Sequence, residues 1–160
     1  SSNFTSPEGW HDDNHYSTAY DMALLGCEAI KNPDFLMVCS SMQARLCYGN
    51  EPYTRYLSNH NKLLKTYDGA VGIKTGFTKK TGRCLVTSAI RNQTQLIAVT
   101  LNAPNDWNDH KKMLDYGFSK IKQTNYTPKM SGYTLPVING EKDSILVKIE
   151  PFTINSPLIE

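Results

Sequence analysis

The sequence predicts an α+β fold, in which antiparallel strands pack against helices. Three apolar, β-branched runs follow one another between residues 70 and 101. Patterns of helical period flank them at residues 18–31 and 107–121. A hairpin pattern after residue 133 predicts, in addition, the beginning of a small all-β domain.

The first helix is predicted from a capping-box pattern, in which Thr18 is followed three residues later by Asp21. Asn32-Pro33 ends this helix at about Lys31, and a short second helix is expected over residues 34–38. The three-and-four spacing of apolar residues predicts one buried face, formed by Tyr20, Ala23, Leu24, Cys27 and Ile30.

Three consecutive antiparallel strands are predicted at residues 70–76, 84–91 and 96–101, with Asn92-Gln93 in the second turn. A further strand at residues 44–48 would end at a Gly49-Asn50 turn.

Asp106 is expected to cap a helix over residues 107–121 that packs on this sheet. Its apolar stripe consists of Met113, Leu114, Gly117, Phe118 and Ile121. The polar stretch 123–132 contains Pro128 and Gly132, so it predicts a linker. Residues 133–138 and 144–149 then predict a hairpin, which alone is only marginally stable and therefore suggests a truncated module.

Composition excludes several classes of partner. The 160 residues include 17 basic and 15 acidic ones, and no basic run exceeds two residues, so neither nucleic acid nor an acidic membrane surface is an expected partner. No stretch approaches the roughly 20 apolar residues of a membrane span, and the first residues do not form a signal peptide. We therefore expect a soluble segment that fits within a longer protein.

The cysteines suggest neither zinc binding nor redox chemistry, because no C-x-x-C pair occurs among Cys27, Cys39, Cys47 and Cys84. We expect buried thiols that act as small hydrophobic groups, although an oxidising compartment would allow a disulfide between Cys39 and Cys47. Nothing in the sequence fixes a metal geometry for His11, Asp12, Asp13 and His15. No metal or cofactor is predicted.

Lys74-Thr75-Gly76, at the end of the first predicted sheet strand, is the most informative triplet. K-T-G belongs to the motif set of penicillin-binding proteins and related β-lactamases. Three residues alone are weak support, because a strand ending in a solvated lysine and a turn glycine would look the same.

Several longer blocks strengthen this interpretation: residues 3–21 (NFTSPEGWHDDNHYSTAYD), 59–82 (NHNKLLKTYDGAVGIKTGFTKKTG), 83–89 and 114–118. With them the chain resembles the serine DD-carboxypeptidases, the low-molecular-mass penicillin-binding proteins, over essentially its whole length. The resemblance implies a partial penicillin-binding-protein/β-lactamase-like transpeptidase fold. Residues 1–122 would be the C-terminal part of the catalytic domain, 123–132 a linker, and 133–160 the beginning of the β-rich domain that follows.

The resemblance also implies roles for individual residues. Lys74 would be catalytic, as a fixed positive charge beside the nucleophile and the terminal carboxylate of the substrate, to which the Thr75 hydroxyl would donate a hydrogen bond. Gly76 would leave room for the substrate along the strand. The backbone N–H of Phe77 would be one of two oxyanion-hole donors. His60 would contact the substrate, or would simply be a loop histidine.

Two motifs of the family are not credibly present. Ser119 to Lys122 matches the nucleophile motif S-x-x-K, but it follows Lys74 and lies beside the predicted linker. Ser1-Ser2-Asn3 matches S-x-N, but it directly adjoins the block that begins at Phe4, where the family has a longer interval. We therefore expect that the chain alone is inactive.

The resemblance implies a parent enzyme that removes the terminal D-alanine from peptidoglycan stem peptides through an acyl-serine and is acylated by penicillin. Its expected partners are stem peptides ending in D-Ala-D-Ala, β-lactams, and the missing N-terminal half of its own domain. A noncatalytic cell-wall-binding or scaffolding module is the alternative from another class. A β-lactamase is disfavoured by the block at residues 16–21 and by the trailing β-module.

In the family, two strands from the N-terminal half lie beside the last of the three strands predicted here. Without them, residues 96–101 would form an exposed apolar edge, so we expect a strand-paired or swapped oligomer, or burial by the C-terminal tail. The family also implies a bacterial extracytoplasmic location. Any membrane anchor of the parent would lie beyond Glu160.

Overall fold

The structure, a computed structural model, describes residues 1–127 and 132–157. The chain divides into two units, Ser1–Phe118 and Ser119–Glu160. The helices are α1 (Ala19–Ala29), α2 (Pro33–Ser40), α3 (Leu63–Thr66) and α4 (Asp106–Ser119). The strands are β1 (Gln43–Tyr48), β2 (Tyr53–Ser58), β3 (Ala70–Thr78), β4 (Gly82–Arg91), β5 (Thr94–Thr100), β6 (Ile121–Tyr126), β7 (Tyr133–Pro136), β8 (Ser144–Val147) and β9 (Phe152–Pro157).

The centre of the first unit is an antiparallel sheet with the order β3-β4-β5. This confirms the predicted α+β class and the three consecutive strands. Asn92 and Gln93 form the turn between β4 and β5, and their φ angles of 48° and 62° are both positive. Positive φ at both central residues suits the right-handed twist of the flanking strands.

Side-chain caps fix the beginnings of α1 and α2. The Thr18 hydroxyl accepts a hydrogen bond of 3.0 Å from the Asp21 N–H, as the capping-box pattern predicts. The Asn32 side chain accepts bonds from the next two N–H groups of α2, those of Asp34 and Phe35. Pro33 begins α2, where the proline N–H would have no helical partner in any case.

The buried face of α1 differs from the predicted one. Tyr20 is 72% exposed and Leu24 is 53% exposed, whereas Gly26 is buried. A Cβ at Gly26 would lie 3.4 to 3.5 Å from the side chains of Ile73, Val86 and Ile97. The helix therefore approaches the sheet through its glycine, and the larger apolar residues point outward. Apolar spacing could not indicate this, because it counts glycine as uninformative.

The opposite side of the sheet carries the main core, in which α3 and α4 pack on β4 and β5. Its buried members are Leu63, Tyr67, Leu85, Ala89, Ala98 and Leu114, and Trp107 and Phe118 pack against them. The predicted stripe of α4 is right for Leu114, but Met113 is 39% exposed and Ile121 belongs to β6. The Asp106 carboxylate accepts a hydrogen bond from the Trp107 N–H at the beginning of α4.

β1 and β2 form a separate antiparallel hairpin in which Arg45 lies opposite Tyr56 and Leu46 lies opposite Arg55. The sequence predicts β1 but not β2, and almost all side chains of the hairpin are exposed. Strand patterns depend on one buried face, so a hairpin exposed on both faces gives only a weak signal.

In the second unit β6 pairs with β9, and β7 pairs with β8. The predicted linker at 123–132 is wrong at its beginning, because residues 123–126 belong to β6; residues 128–131 lie outside the described residues. Polar side chains hide this strand from apolar patterns, but backbone pairing, an Asn125–Thr153 hydrogen bond and contact of the Tyr126 and Phe152 rings stabilise it. The predicted hairpin corresponds to the shorter β7 and β8.

All four cysteines are free, so the structure does not contain the alternative Cys39–Cys47 disulfide. Only Cys39 is buried, and the expectation of buried thiols is therefore wrong for Cys27 and Cys47, which are exposed. Among the described residues, no helix has the length and apolar character needed to cross a membrane.

His110 on α4 is a fully buried polar side chain that contacts two strands of the central sheet, β4 and β5. The Thr87 hydroxyl oxygen lies 2.6 Å from Nδ1, and the Thr100 hydroxyl oxygen lies 2.9 Å from Nε2. A neutral imidazole has one donor and one acceptor nitrogen, and the two hydroxyls match both. Burial lowers the pKa of His110 to about 4, although the carboxylates of Asp106 and Asp109 oppose this shift.

We expect the free energy of unfolding to depend on the protonation of His110. The folded state resists protonation of the His110 imidazole. The contribution of His110 to the free energy of unfolding is therefore complete above the unfolded pKa of about 6.5 and is lost as the pH falls towards 4. Between pH 7 and pH 5 the loss amounts to about 2 kcal/mol. Urea unfolding at both pH values measures it. His110→Gln should flatten the dependence and the exposed control His60→Gln should not; equal slopes in all three proteins would contradict the prediction.

Candidate active site

The K-T-G triplet lies within β3, which continues to Thr78 rather than ending at the triplet as predicted. β3 pairs with β4 along one edge, and no described strand pairs with its other edge. Lys74 is exposed and Thr75 is half-buried. The sequence Lys-Thr-Gly is therefore displayed along the open edge of the central sheet.

The register of β3 on β4 assigns the side chains to two faces. Lys74 lies opposite Val86, whereas Thr75 lies opposite Leu85 and Phe77 lies opposite Arg83. Partners directly opposite each other in an antiparallel pair point to the same face, and successive residues alternate. By this register Lys74 and Thr75 point to opposite faces of the sheet, and Thr75 and Phe77 share a face with Arg83.

A cleft of about 720 Å³ lies along β3 and is bounded by residues 8–17 and by the β3–β4 turn. Residues 8–17 form a loop that is attached to the β3–β4 turn, because Lys80 Nζ is 2.7 Å from Asp13 Oδ1 and 2.8 Å from His11 Nε2. The Lys80 ammonium lowers the pKa of the Asp13 carboxyl by donating this hydrogen bond and by its charge. The loop thereby forms a wall facing the K-T-G strand.

A second cleft, of about 630 Å³, contains Thr75, Phe77 and Arg83. Arg83 Nε and Nη2 donate hydrogen bonds of 3.0 and 2.9 Å to Asp106 Oδ1, and the guanidinium lies 5.4 Å from the centre of the Trp107 ring. Asp106 is only 3% exposed. A nearly buried carboxylate thus holds a cation in place beside the triplet.

Arg83 was missed as a site residue by the sequence analysis. The predicted hairpin joins the K-T-G strand to the strand that begins near Arg83, but the apolar pattern does not specify the register between them. A short turn around Lys79-Lys80 brings Arg83 opposite Phe77, two positions beyond Thr75 on the same face.

His60 lies near the same strand. His60, Ser58, Lys74 and Thr75 contribute to the lining of a cavity of about 380 Å³ beside α2 and β3. Asn59 fixes the segment that carries His60, because its Nδ2 donates hydrogen bonds to the carbonyls of Cys39 and Ser41. All five residues named from the sequence, Lys74, Thr75, Gly76, Phe77 and His60, line the cleft of about 630 Å³.

Lys74 Nζ donates a hydrogen bond of 2.6 Å to the Thr75 carbonyl oxygen. It forms no ion pair with any carboxylate in the described part of the chain, so its charge is available to a ligand. No group of three or more potential metal ligands occurs among the described residues either. The candidate site therefore presents cations and hydrogen-bond donors along an open strand.

Ser119 begins the S-x-x-K match, and Ser1 begins the S-x-N match, in which Ser2 is the middle residue. Ser2 Oγ lies 2.8 Å from Ser17 Oγ and donates to Asp21 Oδ2 at 2.6 Å. These bonds attach the first residues to the beginning of α1. Ser119 is the last residue of α4 and falls in the second unit.

Comparison with known proteins identifies relatives for most of the chain. A family model described as D-alanyl-D-alanine carboxypeptidase matches residues 1–105. The D-alanyl-D-alanine carboxypeptidase DacF of Bacillus subtilis is 35% identical over 122 residues, which are 74% of this chain and 31% of the relative. DacC of Escherichia coli is 31% identical over 148 residues, 89% of this chain and 36% of the relative.

Solved structures confirm the predicted transpeptidase-like fold. A mutant of the Streptomyces K15 DD-transpeptidase has a TM-score of 0.71 at 30% identity, covering 74% of this chain and 48% of that one. Penicillin binding protein 5 from Haemophilus influenzae has a TM-score of 0.66 at 28% identity, covering 98% of this chain and 46% of that one. The chain spans about a third of the length of the curated relatives. On the K-T-G strand and these matches, the chain belongs to the D-alanyl-D-alanine carboxypeptidase family of serine peptidases.

Proposed function

We propose that the chain is part of a serine DD-carboxypeptidase that removes the terminal D-alanine from peptidoglycan stem peptides through an acyl-serine intermediate and is acylated by penicillin. The observation that carries this proposal is the open edge of β3, where Lys74 faces one side and Thr75 and Arg83 face the other. A peptide lying along that edge would meet cations and donors on both faces.

The substrate carboxylate is assigned to Thr75 and Arg83, because they share a face and Arg83 is held rigidly by Asp106. A planar guanidinium and a hydroxyl are suitable donors to a carboxylate. Lys74, on the other face, is then the cation beside the attacking serine. Its charge would stabilise the negative charge that develops during acyl transfer.

Gly76 and Phe77 complete the proposed site. A Cβ at Gly76 would make only an ordinary contact of 3.7 Å with Cys84, so packing within the protein does not demand glycine there. Space for a ligand is a better reason. Phe77 would act through its backbone N–H, which any side chain permits, and the exposed His60 would contact the substrate from the β2 end.

The nucleophile motif S-x-x-K and the S-x-N motif would come from an N-terminal half that this sequence does not include. That half would also cover the outer edge of β5, which no described strand pairs. In its absence, pairing of that edge with a second copy would serve the same purpose. We assign the unit Ser1–Phe118 to the catalytic domain, the unit that contains β6 to β9 to the β-rich domain, and the parent enzyme to the bacterial cell envelope.

The chain alone should not form a covalent adduct with penicillin. Acylation needs a serine activated by a neighbouring base, and the one S-x-x-K match, Ser119 to Lys122, follows K-T-G in the sequence where the family's nucleophile motif precedes it. Incubation with a labelled penicillin, followed by intact-protein mass spectrometry, tests this. A stoichiometric adduct on Ser119 or any other serine would show the proposal of an inactive fragment to be wrong.

A chimera should regain activity and depend on Lys74. We expect release of D-alanine when the preceding half of the Bacillus subtilis relative is fused before residue 1. Replacing Lys74 by Gln should lower kcat/KM by roughly 100- to 1000-fold, the size of a lost transition-state charge contact. Lys79→Gln, at an exposed lysine beyond β3, is the matched control. An active chimera unaffected by Lys74→Gln would argue against the assigned role.

Arg83→Gln in the same chimera should act mainly on substrate binding. Loss of one charged hydrogen-bonding partner of the carboxylate should raise KM about tenfold for an acetylated peptide ending in D-Ala-D-Ala, with a smaller change in kcat. The exposed control Lys112→Gln should leave KM unchanged. An unchanged KM in Arg83→Gln would exclude Arg83 from carboxylate recognition.

A further inference from the structure

Asp106 is a nearly buried carboxylate at the beginning of α4, and it has two neighbours that are able to carry a positive charge. Arg83 donates hydrogen bonds of 3.0 and 2.9 Å to Asp106 Oδ1. His110 follows Asp106 four residues later on α4, and residues at this spacing are neighbours on one face of a helix. The His110 side chain is fully buried. A change of charge at His110 therefore acts directly on Asp106.

The charged groups that pack around His110 come from α4 and β4, because β5 contains none. On α4 the carboxylates of Asp106 and Asp109 favour the protonated imidazole, although burial outweighs them and lowers the pKa of His110 to about 4. Of these two carboxylates only Asp106 is buried, and a charge interacts more strongly where water is excluded. On β4 the cations are Arg83 and Arg91, and Arg91, at the other end of the strand, contacts carboxylates of its own.

At neutral pH the charges of Asp106, Arg83 and His110 balance. The carboxylate carries one negative charge, the guanidinium carries one positive charge, and the imidazole is neutral. Protonation of His110 adds a second positive charge beside a single carboxylate. A buried charge without a partner is costly, so only one of the two cations can keep Asp106 to itself.

Arg83 is the cation that can leave. Its side chain is 38% exposed and lines the cleft of about 630 Å³, whereas the His110 ring has no exposed surface. Water in the cleft would hydrate a guanidinium that turns away from Asp106 and from the Trp107 ring, whose centre is 5.4 Å away. Hydration of the imidazolium would require α4 to separate from the sheet and would open the core around Leu114. Release of Arg83 is therefore the smaller rearrangement.

We propose that Asp106, Arg83 and His110 form an acid-sensitive switch, in which protonated His110 takes over the Asp106 carboxylate and Arg83 is released into the cleft. This inference rests on the proposed function, which assigns Arg83 to the terminal carboxylate of the substrate, and it adds regulation to that function. Binding of the peptide carboxylate weakens as the pH falls towards 4. By reciprocity, a bound peptide keeps His110 neutral.

NMR of the isotopically labelled chain without ligand tests the switch itself. As the pH is lowered from 7 to about 3, the His110 ring, the Arg83 Nε–H and the Trp107 indole N–H should shift together, with one midpoint near 4. The amides of Asn92 and Gln93, at the other end of β4, should not follow them. An Arg83 Nε–H that does not follow His110 would overturn the proposal. A joint transition that includes Asn92 and Gln93 would also overturn it, because the whole unit would then be unfolding.

Two variants separate competition for Asp106 from a general effect of charge. Arg83→Gln removes the competing cation, so the His110 midpoint should rise by about one pH unit, a tenfold change in the protonation equilibrium. Lys112→Gln removes an exposed cation from the same helix and should leave the midpoint unchanged. Equal midpoints in the two variants would refute the competition. This comparison changes only exposed or partly exposed side chains, so it does not depend on the folding of a variant at His110.

Titration with acetyl-D-Ala-D-Ala connects the switch to the proposed function. At pH 4 about half of the molecules carry a protonated His110, so between pH 7 and pH 4 the unmodified chain should lose about twofold more affinity than His110→Gln. Equal losses in both proteins, with shifts at Thr75 and Gly76, would overturn the regulation and leave the proposed function standing. Absence of shifts at Thr75 and Gly76 at pH 7 would overturn the proposed function and the regulation with it, whereas the ligand-free midpoints decide separately on the competition for Asp106.

Discussion

The antiparallel pairing of β3 with β4 is the constraint on which the site depends. It fixes Lys74 opposite Val86 and Thr75 opposite Leu85, and so sends two neighbouring polar side chains to opposite faces of the sheet. A shift of one residue would exchange these faces. The buried β4 side chains resist such a shift, because Leu85 and Ala89 lie in the core with α3 and α4. Core packing on β4 therefore determines the chemistry displayed on β3.

Close helix packing stabilises that strand from the other face. Gly26 lets α1 approach Ile73 and Val86, and Gly72 lets α2 approach β3 so closely that a Cβ would lie 2.7 Å from Cys39 Sγ. Burial raises the pKa of the Cys39 thiol, which keeps this contact uncharged. Two glycines thus support the K-T-G strand without contributing a functional group.

Much of this arrangement could be predicted from the sequence, namely the Thr18 cap, the Asn92-Gln93 turn, the three sheet strands and the K-T-G triplet. These features depend on residues that act locally or on apolar runs. The contact face of α1 and the position of Arg83 could not be predicted in the same way. The first depends on the absence of a side chain at Gly26, and the second on a hairpin register that apolar patterns do not specify.

The net charge of the chain likewise predicts less about binding than the positions of its individual cations do. A value of +2 for the chain argues against a strongly anionic polymer as partner, because such binding requires many cations acting together. Binding of one carboxylate requires only one fixed cation with a free hydrogen-bond donor. Arg83 satisfies this condition, since Asp106 holds it while Nη1 forms none of the hydrogen bonds to that carboxylate.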